Sequence, residues 1–134
     1  MYHFSQILET PFEQAIAQVT EALKQEGFGV LTEIDVKATF KRKLDADFHP
    51  YLILGACHAQ IAYRMLNADD KAGVFYPCNV VVQEHPDGRV EVSAIDPAVM
   101  FQAVDSPAAK EITDDARELM QAVMNRLGAA TPVA

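Results

Sequence analysis

The amino-acid sequence predicts an α+β protein, a two-layer sandwich in which helices pack on a mixed sheet of about five strands. Helical and strand-like hydrophobic patterns are interleaved along the chain, and each helical pattern has one apolar stripe that a sheet can cover. Late in the chain, two strand-like segments, residues 78–84 and 89–95, flank the sequence His85-Pro86-Asp87-Gly88. That turn sequence is typical of an antiparallel hairpin.

Composition is typical of a single soluble globular domain. Of the 134 residues, 50% are hydrophobic and 22% are charged, which fits an ordinary globular protein. We expect one domain over residues 1–134, with a loose C-terminal tail at residues 129–134. The formal net charge is −8. We therefore expect binding neither to nucleic acid nor to anionic membranes, because both attract clustered Lys and Arg.

The cellular compartment is indicated by features that the sequence lacks. No apolar run reaches the roughly 18 residues that a membrane span requires. Residues 1–6 do not have the basic and apolar regions of a signal peptide. The chain has two cysteines, which is too few for a disulfide framework. We therefore expect a cytoplasmic protein with reduced thiols.

The first elements alternate between strand and helix. A short strand begins at Tyr2, and the first helix begins at Thr10-Pro11, where Thr10 would cap the helix together with Glu13. Its apolar residues recur at helical spacing: Phe12, Ile16, Val19 and Leu23. Gly27 ends the helix, because glycine tolerates the positive φ found there.

The middle of the chain predicts another strand, helix and strand. Residues 28–36 alternate in part, which indicates a strand with one buried face. Asp35 is placed to cap a second, shorter helix. Residues 51–56 are apolar throughout, which predicts a strand covered on both faces or one central to a sheet. A helix follows Cys57.

The last third begins with the hairpin and ends with a helix. Asp96-Pro97 starts a short helical turn, and Ser106-Pro107 is typical of a cap followed by a first-turn proline. A long C-terminal helix follows, and Gly128 is expected to end it.

Three of these segments resemble family 302 of the domains of unknown function: Gly55-Ala56-Cys57, the strand Pro77-Cys78-Asn79-Val80-Val81-Val82, and Asp96-Pro97. The resemblance covers nearly the whole chain. It implies a small two-layer α/β protein that pairs as a homodimer, without an established biochemical role. Some relatives are associated with sulfur metabolism. Family members typically follow the first cysteine with Asn-Pro, whereas His58-Ala59 stands at that position here.

Both cysteines are candidate site residues. Cys57 is expected between a strand end and a helix start, where backbone N–H groups and the helix dipole would favour the thiolate and lower its pKa. A protonated His58 would act in the same direction. Cys57 and Cys78 could then converge at one edge of the sheet as a redox pair, a persulfide carrier or a soft-metal site. Alternatively, both are small buried hydrophobic residues, as free cysteines often are.

Asn79 and Asp96 complete this candidate ligand-binding or redox set. Asp96 could act as a general acid or base beside the cysteines, or it could simply cap the turn that follows it. The spacing of cysteines and histidines matches no zinc motif, so neither a metal nor a cofactor is predicted. His85 is expected at the surface of a turn, and His3 and His49 have no evident partner.

A second candidate site is the basic face of the second helix, where Lys37, Lys41 and Arg42 could bind an anion. The alternative is a solvated helix face without a ligand.

The sequence leaves two hypotheses for function. The first is a dimeric small-ligand-binding or accessory module with a pocket near Cys57, Cys78 and Asp96. The second is a thiol-dependent redox or sulfur-transfer protein with Cys57 or Cys78 as nucleophile. We favour the first, because an enzyme usually shows a recognisable acid, base or metal constellation. The sequence does not decide whether the protein is an enzyme.

Overall fold

The computed structural model describes residues 1–129, and five strands and five α-helices lie in that range. In chain order the elements are β1 (His3–Leu8), α1 (Phe12–Gln25), β2 (Phe28–Asp35), α2 (Val36–Leu44), β3 (Tyr51–His58), α3 (Ala59–Ala68), a 3₁₀ turn (Ala72–Phe75), β4 (Cys78–Glu84), β5 (Val90–Ile95), α4 (Pro97–Phe101) and α5 (Pro107–Ala129). The interleaved order confirms the predicted α+β fold class.

The five strands form one sheet in the order β1-β5-β4-β3-β2. Every neighbouring pair is antiparallel, so the prediction of a mixed sheet is wrong. A parallel pair needs a crossover that carries the chain back along the full strand length. The helices α2 and α3 instead return the chain at the end of the sheet where the preceding strand stopped. The predicted β4–β5 hairpin is confirmed, with Gly88 at a φ of +91° in its turn.

The two long helices α1 and α5 cover one face of the sheet, which we call the inner face. Because strand side chains alternate between faces, every second residue of β4 and β5 points into this core. The buried inner-face residues of the central strands are Leu54, Ala56, Cys78, Val80, Val82, Val90, Val92 and Ala94. Val19 and Leu23 of α1 and Met120 and Val123 of α5 are fully buried against them. The predicted apolar stripe of α1 is therefore a core face.

The opposite face, which we call the outer face, is less fully buried. On β3 the inner residues Leu54 and Ala56 are fully buried, whereas Tyr51 and Ile53 on the outer face remain partly exposed. For residues 51–56, cover on both faces does not hold over most of the strand, whereas the predicted central position is confirmed, because β3 lies between β4 and β2. Cover on both faces is present at one position, Gly55, because Thr32 and Pro77 pack over it.

A second apolar cluster lies beside the main core and joins α3, the 3₁₀ turn, α4 and α5. Its buried residues are Ile61, Met65, Ala72, Phe101, Ala109, Ile112 and Ala116. Tyr76 and Met100 pack against both clusters, so they link the end of β4 to this second core.

Side-chain caps fix two of the helix starts predicted from sequence. Asp35 Oδ1 accepts a hydrogen bond from Ala38 N at 2.9 Å, and Asp96 Oδ1 accepts one from Ala98 N at 3.0 Å. The predicted cap at Thr10 is wrong, because α1 begins after Pro11 without a side-chain cap. The Thr10 hydroxyl instead donates to Gln18 Oε1 at 3.3 Å.

Of the two helix ends that were predicted at glycines, one is confirmed and the other is wrong. Gly27 follows α1 with a φ of +87°, as expected for the residue that ends a helix. Gly128 does not end α5, which continues to Ala129. Residues 130–134 of the predicted tail lie outside the described range.

The edge strand β2 contains a bulge, because its register against β3 shifts between Val30 and Thr32. The extra residue, Leu31, is 68% exposed. Across the described chain, each helix is too short or too polar to cross a lipid bilayer.

Replacing Gly55 with alanine tests how tightly the outer face is packed at that point. A Cβ atom at Gly55 would lie 2.1 Å from Thr32 Oγ1 and 2.8 Å from Pro77 Cγ. We expect Gly55→Ala to lower the free energy of unfolding by about 1–3 kcal/mol, since overpacking forces side chains and backbone to shift. Urea denaturation of the two proteins measures this difference.

The matched control is Gly29→Ala, since a Cβ at Gly29 on the neighbouring strand would meet nothing within 4 Å. We expect this control to change the free energy of unfolding by no more than about 0.5 kcal/mol. Equal losses from the two substitutions would contradict the packing described at Gly55.

Candidate ligand-binding cleft

The outer face carries a cleft of about 350 Å³ that extends over β1, β5, β4 and the start of β3. Val81 and Ile95 contribute apolar surface to its lining, and polar side chains lie along it on both sides. An apolar floor with a few polar groups is typical of small-molecule sites.

One end of the cleft is a cross-strand row of Tyr51, Gln83 and Glu91. The register pairs Tyr51 with Gln83 and Gln83 with Glu91, so all three side chains point to the outer face. His49 Nε2 lies 2.9 Å from Gln83 Oε1, and His85 Nε2 lies 2.9 Å from Glu91 Oε1. The two imidazole rings stack at a centroid distance of 6.1 Å.

These contacts fix which histidine nitrogens carry hydrogens. A glutamine carbonyl oxygen and a carboxylate oxygen only accept hydrogen bonds, so both imidazoles donate through Nε2. The histidine N–H groups at this end are thus engaged by the protein itself. They orient Gln83 and Glu91 in the cleft lining.

The other end of the cleft is a chain of hydroxyl and imidazole groups across β1 and β5. His3 Nδ1 lies 2.7 Å from Ser5 Oγ, which lies 2.8 Å from Ser93 Oγ. All three residues line the cleft. Hydroxyl groups both donate and accept hydrogen bonds, so this end can serve either type of ligand group.

Two of the residues proposed from sequence lie on this outer face. Asn79 lines the cleft, and its register partner is Gly55. Strand alternation places Cys57 on the same face, two residues beyond Gly55. Its side chain is half-buried. Neither cysteine is among the residues that line the cleft, so the predicted pocket near both cysteines has no counterpart in it.

Cys78 lies on the inner face, in the main core. Its register partner is Ala56, the residue before Cys57. The Cys78 thiol donates to Met100 Sδ at 3.9 Å. Burial, and secondarily the nearby Cys57, raises the pKa of Cys78 to about 12.

Neither thiol is activated in the way the sequence led us to expect. Burial raises the pKa of Cys57, so the expected lowering at a helix start is wrong. Cys57 precedes the cap of α3, and that cap is His58, whose Nδ1 accepts from Ile61 N at 3.4 Å. His58 Nδ1 thus carries no hydrogen in this arrangement.

The two thiols do not form a pair that could close a disulfide without backbone movement. Their side chains leave β3 and β4 on opposite faces, and a disulfide needs Cβ atoms about 4 Å apart that point toward each other. Both cysteines are free.

Tyr76 lies close to both thiols. Its hydroxyl is buried without a hydrogen-bond partner among the described residues. Burial is the main cause that raises the pKa of Tyr76, and Cys78 and Cys57 add to it. Three weakly acidic groups are therefore held in their protonated forms at the end of β4.

Asp96 has a structural role in this fold. It is 8% exposed and caps α4. Arg117 Nε lies 3.2 Å from each Asp96 carboxylate oxygen, and the same guanidinium lies over the Phe4 ring at 5.4 Å from its centroid. Asp96 thereby connects β5, α4 and α5.

The remaining candidates lie away from the outer-face cleft. His58 borders a separate hollow of about 430 Å³ between α3 and α5. Lys37 borders another of about 510 Å³, which also contains Glu13 and Glu33. Lys41 pairs with Asp45 and Asp47 at 3.1 and 3.4 Å.

Arg42 is exposed on α2. Lys37, Lys41 and Arg42 thus do not line one common hollow. Within residues 1–129, no three side chains among His, Cys, Asp and Glu come together as a metal-ion site.

Apart from Asn79, sequence reasoning did not find the residues that form the cleft. The expectation that His3 and His49 lack partners is wrong, since each has a hydrogen-bond partner at less than 3 Å. His85 is only 25% exposed, rather than a surface turn residue. The signal that could have located this end of the cleft is the hairpin register, which pairs Gln83 with Glu91.

Fold and cleft together define a class, the two-layer α+β proteins with helices packed on an open antiparallel sheet. Within this class, the chain belongs to the family "Domain of unknown function DUF302", whose model matches residues 4–127. No curated protein matches the chain.

A solved structure supports the same assignment. It is the crystal structure of an uncharacterized conserved DUF302 protein from Bacillus stearothermophilus, with 34% sequence identity and a TM-score of 0.86. The alignment covers 95% of this chain and 98% of that chain. The resemblance noted in the sequence is therefore confirmed.

Alkylation of the native protein with iodoacetamide tests the state of the two thiols. Only the thiolate reacts, and its fraction rises about tenfold per pH unit below the pKa. At pH 8 we expect slow modification of Cys57 and none at Cys78, whose thiolate fraction at a pKa of about 12 is near 10⁻⁴. Raising the pH from 8 to 9 should accelerate labelling of Cys57 several-fold.

Peptide mass spectrometry locates the modified residue, and labelling in concentrated urea provides the control in which both cysteines react alike. Rapid labelling of Cys78 in the folded protein would contradict its described burial.

Proposed function

We propose that this protein is a homodimeric small-ligand-binding module whose ligand occupies the outer-face cleft. The observation that carries the proposal is the cleft on the outer face, which presents polar groups above an apolar floor. The volume of about 350 Å³ is in the range of small-molecule sites.

Binding is favoured over thiol chemistry because the cysteines are poor nucleophiles here. Burial raises the pKa of Cys57 and of Cys78, and it is the thiolate that reacts. Their positions on opposite faces also argue against a redox pair. A cytoplasmic location, where thiols stay reduced, is part of this proposal.

For the homodimer, we propose that the second copy covers the other half of the outer face. Ile34 on β2 and Ile53 on β3 are register partners, and Ile34 is 48% exposed. The bulge residue Leu31 exposes further apolar surface on the same strand. A second copy over these residues would bury apolar surface and leave the cleft between β1 and β3 for a ligand.

Substitution of Ile34 by lysine tests this interface. We expect the wild-type protein to have about twice the 14.8 kDa mass of one chain, and Ile34→Lys to give a monomer, because a charge in an apolar interface loses its hydration. Size-exclusion chromatography with light scattering measures both masses.

The control is Ile7→Lys, because Ile7 is exposed to a similar degree, 42%, on the outer face at the opposite edge of the sheet. We expect this variant to remain dimeric. A wild-type protein that is already monomeric would refute the homodimer, and dissociation by Ile7→Lys alone would refute the assigned interface.

Filling the cleft with a bulky side chain tests whether a ligand binds there. Val81→Trp places an indole ring over the apolar floor, so we expect it to eliminate any small molecule that the wild-type protein carries through purification. Native mass spectrometry detects such a molecule as an added mass. Ile7→Trp is the control, because Ile7 lies on the same face but outside the cleft lining.

Retention of the added mass by Ile7→Trp and its loss from Val81→Trp would support the proposal. A wild-type protein without added mass, or an added mass that Val81→Trp retains, counts against the assigned site.

A further inference from the structure

We propose that the outer-face cleft selects a flat ring ligand that carries a cationic nitrogen group and discriminates against the corresponding carboxylate. This inference rests on the proposed function, because it names the class of ligand for the same cleft. The charges, hydrogen bonds and rings that line the cleft support this class of ligand.

The charge of the cleft lining favours a cationic ligand over an anionic one. Among the residues that line the cleft, Glu91 is the one with a formal charge at neutral pH. The chain as a whole has a formal net charge of −8. A cation entering the cleft meets an opposite charge at its end, whereas a carboxylate meets a like charge.

The hydrogen bonding of Glu91 also favours a ligand with N–H donors. His85 Nε2 holds Glu91 Oε1 at 2.9 Å, and among residues 1–129 no other hydrogen bond to this carboxylate is present. Its second oxygen can therefore accept from a ligand N–H group. The carboxylate is 27% exposed, so its attraction for a cation is less screened than at a fully exposed site.

The two histidine donors at this end are already engaged, which leaves the Gln83 amide nitrogen and the Tyr51 hydroxyl to donate to a ligand. His49 and His85 each donate their Nε2 hydrogen to a protein oxygen. Binding of an anion through a histidine would require that imidazole to exchange its partner. It would also leave Glu91 or Gln83 without its present hydrogen bond, which costs free energy at a half-buried site.

The apolar floor of the cleft and the aromatic rings at its margin indicate that the ligand contains a flat ring. Val81 and Ile95 supply apolar surface, and Tyr51 and Tyr2 supply aromatic rings at the margin. Aromatic faces attract both flat apolar rings and cations. A cavity of roughly 150 Å³ accepts benzene, so the cleft has room for one ring and a polar group.

Three probes with the same ring separate charge from shape: benzamidine is cationic, benzamide is neutral and benzoate is anionic. We expect benzamidine to bind about 3- to 10-fold more tightly than benzoate, with benzamide between them. Titrations followed by NMR shifts of the Val81 methyl groups and the Glu91 amide give the three dissociation constants. The titrations are carried out at pH 8.

Two isosteric variants identify the source of the preference. Glu91→Gln keeps the side-chain shape and an oxygen for His85, and we expect it to reduce the benzamidine-to-benzoate ratio to less than about 2-fold. Glu84→Gln removes the same net charge from the neighbouring strand, but strand alternation places Glu84 on the inner side. We expect Glu84→Gln to keep the wild-type ratio. Amide spectra of both variants verify that the fold is unchanged.

The outcomes of the titrations distinguish this inference from the proposed function on which it rests. Equal or tighter binding of benzoate by the wild-type protein would overturn the cationic class while leaving a ligand cleft in place. A preference that Glu91→Gln retains would also overturn it. If none of the three probes shifts the Val81 or Glu91 signals, the ring-ligand inference is overturned, whereas the proposed function is decided by the Val81→Trp experiment.

Discussion

The two-residue alternation of side chains in an antiparallel sheet is the constraint on which the rest of this structure depends. On β4 and β5 the even-numbered residues are mostly valine and alanine, and burying them under α1 and α5 fixes the core. The odd-numbered residues between them are then forced onto the outer face. The polar rows there, including Gln83 and Glu91, are a direct consequence of how the hydrophobic face is covered.

Local signals in the sequence were sufficient where neighbouring residues decide the structure. The hairpin, the cap at Asp35 and the helix end at Gly27 each depend on a few adjacent residues, and the sequence predicted all three. The strand directions were not predictable in this way, since pairing of β1 with β5 and of β2 with β3 joins distant segments. Thr10 shows the same limit, because its hydroxyl bonds to Gln18, a partner from the next turns of α1.

One part of the candidate site could be predicted from local sequence, and the rest could not. Sequence reasoning gave weight to cysteines because of their chemistry, but the sheet separates Cys57 and Cys78 onto opposite faces. The cleft is built from ordinary polar residues that become a group only through strand register. Gln83 and Glu91 could have been paired from the hairpin alone. His49 could not, since it comes from the loop before β3 and meets Gln83 across 34 residues of sequence.

The bulge at Leu31 has a consequence for how this chain associates with itself. A regular edge strand offers an unbroken row of N–H and C=O groups to which another strand can add, and such addition can repeat without limit. The additional residue in β2 interrupts that row and increases the local twist. Fibre-like growth from this edge is thereby disfavoured, even though apolar side chains lie exposed beside it.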